Sequence, residues 1–103
     1  MYIIVLITCP DADEGKRIAH ALLVERLAAC VNIVPGLFSK FWWTGKIHEA
    51  NECLMIVKTK KSVLRKLIRK VKEMHQYENP EIIAIPVIGG SKEFTKWIDD
   101  EIR

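Results

Sequence analysis

The stretch FSKFWWTGKIHEANECLMIVKTK, residues 38–60, decides how the rest of the chain must be arranged. It opens on the aromatic cluster Phe38, Phe41, Trp42 and Trp43, turns at Thr44-Gly45, and returns through Ile47 into the apolar run 53–57. Aromatic and β-branched runs on both sides of a glycine-containing turn are the signature of a β-hairpin. The upstream strand can start as early as Cys30, because CVNIVPGLFSKFWW is apolar-rich and carries no helical cap. A straight strand over residues 30–43 spans on the order of 45 Å at about 3.3 Å per residue. A domain of this length has a radius of gyration of about 13 Å and is only about 35 Å across. The hairpin therefore bends, with Pro35-Gly36 the obvious place, or projects beyond its own core. A projecting aromatic tip is an exposed apolar edge that needs cover. A second copy of the chain is the cover expected.

With 103 residues the chain is read as one domain, 1–103, large enough for a single core and too small for two. An apolar share of 50% with 28% charged residues is that of a soluble globular protein, not a disordered one. Residues 1–8 are apolar, but they are few, lack a basic flank and run straight into Pro10-Asp11-Ala12-Asp13-Glu14. No signal peptide is therefore expected, and no run reaches membrane-spanning length, so no membrane partner is expected. Cys9, Cys30 and Cys53 are odd in number and far apart, with no Cys-x-x-Cys spacing. A disulfide framework is not expected; a reducing, cytoplasmic location is.

Outward from the hairpin, YIIVLIT at residues 2–8 is a continuous β-branched run and reads as a strand buried on both faces. Pro10 breaks it, and Asp11 is a helix N-cap with Asp13 and Glu14 in the favourable first turn. That helix is expected to run to about Ala29, with Ile18, Ala19, Leu22, Leu23 and Ala29 inward and Lys16, Arg17, His20 and Val24 opposite. After the hairpin, Lys61-Ser62 opens a second helix whose stripe is Leu64, Leu67, Ile68, Val71, Met74 and His75. EIIAIPV at residues 81–87 is a further buried strand, with Pro86 marking an edge at its far end. Ser91 caps a last helix with Phe94, Trp97, Ile98 and Ile102 on its core face. The order β-α-β-β-α-β-α is that of an α+β, ferredoxin-like βαββαβ sandwich with an extended hairpin and a C-terminal helix. Right-handed crossovers put both long helices on one face of an antiparallel sheet.

His75 is the ionisable residue of most interest, because it ends an apolar stripe and is followed by Gln76, Tyr77 and Glu78. It is either a core histidine hydrogen-bonded at a helix end or a ligand and proton carrier. Cys30 and Cys53 lie in strands, where a thiol serves as a small hydrophobe. Cys9 lies at a strand-to-helix junction, where the helix's positive end favours thiolate chemistry or soft-metal binding. Glu49 and Glu52 sit three apart in a strand, point to opposite faces and make a poor acid–base pair. Solvation or an inter-subunit salt bridge is expected for them instead. Nothing resembles a phosphate loop, a dinucleotide fingerprint or a nucleophile set, so no enzyme is expected. The basic face of the second helix does not make a nucleic-acid partner. The two strands that would stack bases, residues 2–8 and 53–59, offer only Tyr2.

Taken together these motifs resemble the CutA family of divalent-cation tolerance proteins. The matching pieces are Thr8-x-Pro10 with its acidic helix start, Glu25-Arg-Leu-Ala-Ala-Cys30-Val-Asn32, and Trp42-Trp43-x-Gly45-Lys46-Ile47 with Glu49 and Glu52. Lys58-Thr59, His75-x-Tyr77-Glu78-x-Pro80-Glu81-Ile82 and Trp97-Ile98 complete the set. The resemblance implies a tight homotrimer in which three sheets face one another and each hairpin reaches a neighbour. It implies a cytoplasmic, non-enzymatic protein linked to copper and other divalent cations, with no obligatory cofactor. It further implies an inter-subunit cleft gathering Trp43, Lys58, Tyr77 and Glu78 with His75. Two departures stand out: Gln76 follows the histidine where the family has Pro, and Ile7 and Met74 stand where some members bring a cysteine and a second histidine. The expected metal ligands are therefore His75, with Cys9 or Cys30. The alternative reading is a trimeric sensor or scaffold like the PII signalling proteins, holding a small anionic ligand in the cleft through Lys58.

Overall fold

A computed structural model, which describes residues 1–102, contains one four-stranded antiparallel sheet with the two long helices packed on one face. The strands are β1 (Tyr2–Cys9), β2 (Cys30–Trp43), β3 (Lys46–Lys60) and β4 (Ile82–Pro86), in the order β2-β3-β1-β4. The helices are α1 (Ala12–Val24), α2 (Leu64–Met74), entered through a 3₁₀ turn at Lys61–Val63, and α3 (Lys92–Glu101). This is the ferredoxin-like order expected, with the long crossovers α1 and α2 on the same side.

The strand alternation explains where the core sits. Ile3, Val5, Ile7 and Cys9 of β1 point to the helices and are buried, as are Cys53, Met55 and Val57 of β3. They meet Ile18, Ala19 and Leu22 of α1 and Leu67 and Val71 of α2. The other face of the sheet is apolar too and stays largely open; α3 reaches it at one end, where Asp99 meets Tyr2 and Lys60. On this face Ile4 and Leu6 of β1 stand beside Leu54, Ile56, Ile83 and Ile85, with Ile83 55% and Ile85 44% exposed. So β1 is buried on one face only, and β4 is partly buried on that face and exposed on the other, against the expectation of two. Their unbroken β-branched sequences belong to strands that want cover on both sides.

The hairpin both bends and projects. Pairing of β2 with β3 slips between Val34 and Leu37, and Gly36 takes a left-handed backbone (φ 78°), which glycine alone adopts without strain. Pro35 at the same place offers no N–H to the ladder, which is tolerable because β2 is an edge strand. At the tip, Thr44 (φ 52°) and Gly45 (φ 78°) make the two-residue turn between Trp43 and Lys46. Positive φ at both positions is what a type I′ hairpin needs. The ribbon lengthens the molecule to 44 Å against 25 and 22 Å in the other directions.

One boundary and one core face depart from the expected ones. Asp11 caps α1 as read, its side chain accepting from the Glu14 N–H at 2.8 Å, but α1 stops at Val24, short of Ala29. Arg26 is left-handed (φ 57°), the Leu27 N–H donates to the Leu22 carbonyl at 2.8 Å, and the Arg26 N–H donates to Leu23 at 3.1 Å. That is a Schellman closure without the usual glycine, and it turns Leu27 and Ala28 into the core. Leu23 consequently faces outward and is exposed. In α3, Ser91 accepts from the Phe94 N–H as expected, and Ile98 and Ile102 are buried. Phe94 and Trp97, expected in the core, are instead partly exposed and stack on each other at 5.4 Å.

Truncating Leu22 leaves a cavity where α1 meets the sheet. Leu22→Ala is expected to lower unfolding stability by about 2–5 kcal/mol, read from guanidinium titration at fixed chain concentration. Helix α3 is tied down by Asp99, which accepts from the Tyr2 hydroxyl at 2.5 Å and pairs with Lys60 at 3.0 Å. The Tyr2 bond and then the Lys60 bond hold the Asp99 carboxyl below the usual range. A carboxylate whose folded pKa is depressed adds stability above its unfolded pKa and loses it as pH falls through the folded one. Asp99→Asn should therefore be less stable than wild type at neutral pH, with the gap closing as pH falls below about 4. The same titration repeated across pH reads it.

Candidate functional site

The apolar stripe of α2 ends by delivering His75 into the core. His75 is the residue after the helix, with extended backbone, its N–H donating to Val71 at 2.9 Å and its side chain wholly buried. Nε2 lies 2.6 Å from the Thr8 carbonyl, which can only accept, so Nε2 carries the proton. Nδ1 accepts from the Tyr77 backbone N–H at 3.0 Å. The imidazole is thus held in one tautomer with its lone pair on Nδ1, and Nδ1 faces Glu14 Oε2 at 3.6 Å.

Glu14 is turned inward by helical spacing. It shares a face of α1 with Ile18 and Leu22, one and two turns on, and all three are buried. Its side chain is 3% exposed and neither oxygen has a hydrogen bond. Arg17 comes no closer than 3.6 Å and is itself half in solvent. A buried polar group without a hydrogen bond costs about 1–3 kcal/mol, and more when charged. The sequence marks Glu14 only as a favourable first-turn acid. The 14-18-22 spacing is the signal that it points into the core.

Cys9 completes the group. It ends β1 on the helix side, fully buried, and its thiol donates to Met55 Sδ at 3.4 Å. The ligand atoms of Cys9, Glu14 and His75 all lie within 4.8 Å of one another. Burial, and then the Glu14 charge, push the thiol up to about 12. The expectation of a helix-activated thiolate therefore fails: removal from water outweighs the helix end. A thiol, an imidazole lone pair and an orphaned carboxyl group are a fitting donor set for a cation, which would satisfy Glu14 and deprotonate Cys9.

The other expected site residues are elsewhere. Cys30 pairs with Lys58, and Lys58 with Ile4, on the open face of the sheet. The sheet itself separates both from Cys9 and His75. Tyr77, Glu78 and Trp43 do share a groove, of about 920 Å³, between the hairpin tip and the 76–81 segment. Lys58 is not part of it. Glu52 is not solvated: it is buried and accepts from the Tyr77 hydroxyl at 2.8 Å, a partner that sequence reasoning misses. Burial and then that bond push the Tyr77 hydroxyl up. No local pattern marks Glu52, because its partner is remote in sequence.

The profile described as CutA1 divalent ion tolerance protein matches residues 3–101. Protein CutA 1, chloroplastic, of Oryza sativa subsp. japonica is 45% identical over 98% of this chain and 57% of its own length. The chain thus spans a little over half of that plant relative. Divalent-cation tolerance protein CutA of Archaeoglobus fulgidus is 48% identical with both chains fully covered. Its solved structure, described as the periplasmic divalent cation tolerance protein CutA, superposes with a TM-score of 0.97 over 100% of each chain. The Cut A1 structure from Thermus thermophilus gives a TM-score of 0.97 at 45% identity, again over 100% of each. On fold, motif order and this likeness, the chain belongs to the CutA1 divalent ion tolerance family.

Proposed function

We propose that this chain works as a homotrimer that binds divalent cations, copper among them, in support of heavy-metal tolerance, and that it performs no catalysis. The observation that carries the assembly is the apolar surface one chain leaves bare. Trp42 is 74% exposed at the hairpin tip, Phe38, Phe41, Trp43 and Ile47 are exposed beside it, and the open sheet face adds Ile83 and Ile85. Covering the four tip rings alone removes on the order of 500 Å² from water, roughly 12 kcal/mol before the entropy of association is subtracted. Identical copies are the cover most readily at hand, and a closed ring leaves no ribbon unpartnered.

The cation role rests on family membership and on donors within reach of one another. His75 is the pivot, with Cys9 beside it. Cys30, on the open face, can join only a site made between copies. The groove holding Trp43 and Tyr77 is lined by Glu52, Glu78 and Glu81 against Lys40 and His48, a balance that favours a cation over an anion. The sensor reading, with an anionic ligand, is favoured by one observation alone: Lys58 lies on the open face, where a neighbouring copy would meet it. Cys9 and His75 are a thiol–imidazole pair, but the thiol is sealed from solvent and its pKa is raised, which supports a non-catalytic role. Three free thiols favour a reducing compartment such as the cytosol.

Sedimentation equilibrium at micromolar concentration is expected to give three chains per particle. Replacing Trp42 and Trp43 together by Glu should dissociate it, whereas a wild-type monomer would contradict the assembly. Calorimetry with Cu(II) should show His75→Ala binding at least tenfold more weakly. An unchanged affinity would remove His75 from the site.

A further inference from the structure

Each subunit, we propose, carries a complete metal site of its own, formed by Cys9 Sγ, Glu14 carboxylate and His75 Nδ1. It is suited to a thiophilic divalent ion of tetrahedral habit, the class of Zn(II), Co(II) and Cd(II). The inference rests on the cation-binding reading above and specifies which donors and which ion class. It needs no residue from a second chain.

The starting point is Glu14. A carboxyl group with 3% of its side chain exposed and no hydrogen bond on either oxygen is an anomaly in a core this well paired. A structural role would give it a partner, yet Arg17 stays at 3.6 Å and points half into solvent, its other contact being the Met74 carbonyl. Nor does His75 serve as that partner. Its Nδ1, 3.6 Å away, is already accepting a hydrogen bond and has no proton to give. Glu14 therefore turns an unpartnered carboxyl group toward Cys9 and His75.

The charges suit a doubly positive ion. A thiolate from Cys9 and a carboxylate from Glu14 offset two positive charges, so the filled site is neutral where an isolated buried charge would be costly. Binding exchanges the Cys9 S–H for an S–metal bond and releases that proton to solvent. The imidazole is already in the required tautomer: the Thr8 carbonyl holds the proton on Nε2, leaving Nδ1 to ligate. That is the outer hydrogen bond which commonly orients a metal-bound histidine. The ion would take the lone pair now used by the Tyr77 N–H, and that amide turns outward with the 76–79 bend. Met55 Sδ lies 3.4 Å from Cys9 Sγ, the separation of neighbouring ligands, and is the side chain we assign as a weak fourth donor.

The spacing is close to what such an ion needs. Bonds of about 2.0–2.3 Å in a tetrahedron put ligand atoms roughly 3.4–3.8 Å apart. The His75–Glu14 pair, at 3.6 Å, is already in that range, and no donor pair exceeds 4.8 Å, so the pairs with Cys9 have to close by at most about 1.4 Å. Glu14 lies in the first turn of α1 and His75 in extended backbone past α2, so both can make that shift without disturbing the sheet.

The test is a Co(II) titration of the purified oligomer, reduced and free of oxygen, followed by absorption. One Co(II) per chain is expected, with a thiolate-to-cobalt charge-transfer band in the near ultraviolet and the strong visible bands of four-coordinate Co(II). Cys9→Ser, with Cys9→Ala as a second variant, should abolish the charge-transfer band. Glu14→Gln should keep it but weaken binding at least tenfold, and Cys30→Ser should change neither. Guanidinium midpoints identify any variant that fails to fold. No charge-transfer band in wild type, its survival in the Cys9 variants, or wild-type affinity in Glu14→Gln would overturn the inference. Co(II) held without that band and lost in His75→Ala would sink this site while leaving cation binding standing. Failure to bind either Co(II) or Cu(II) would sink both.

Discussion

Everything in this chain depends on β3 being asked to belong to two structures at once. Its second half, from Cys53 onward, lies between β1 and β2 and fills the core. Its first half pairs only with β2, out past the slip at Pro35-Gly36, where no helix reaches. A two-stranded ribbon with one ladder is at best marginal in water, and this one carries four aromatic rings. The strand is continuous, so the ribbon's order and the core's order are mechanically coupled. Whatever holds the tip also holds the groove in which Glu52 receives Tyr77 and, through Tyr77, the lone pair of His75.

That coupling links the two unusual features of the molecule. Tyr77 donates its backbone N–H to His75 and its hydroxyl to Glu52 on the hairpin. The 76–81 segment therefore bridges the sealed Cys9–Glu14–His75 group and the aromatic ribbon. An ion that displaced the Tyr77 amide would be felt first at the ribbon's base, where copies of the chain would meet.

Much of the fold is legible because the local signals agree with the global arrangement. Asp11 and Ser91 read as caps and are caps; Thr44-Gly45 reads as a hairpin turn and is one; Pro35-Gly36 reads as the bend. The end of α1 is illegible for a physical reason: the left-handed position is filled by Arg26, not glycine, so no residue announces the stop. Residues 2–8 and 82–85 read as doubly buried strands because their apolar residues run unbroken, whereas within one chain only the helix-side face is buried. At the site, His75 and Cys9 can be named from their positions, but not the fact that they meet. Glu14 is hidden behind a sound general reason for acids at helix starts, and Glu52 behind a partner 25 residues away. Cys30 and Lys58 share motifs with the site yet lie across the sheet from Cys9 and His75, because strand parity, not proximity in sequence, sets the face.

The claim that a second copy holds the ribbon is most directly tested by amide hydrogen exchange over residues 38–51 at micromolar concentration. The account predicts protection there comparable to that of β1, with protection lost when the chain is made monomeric while β1 remains slow. Exchange across the ribbon as fast as in a free hairpin, or protection that persists in the monomer, would contradict it.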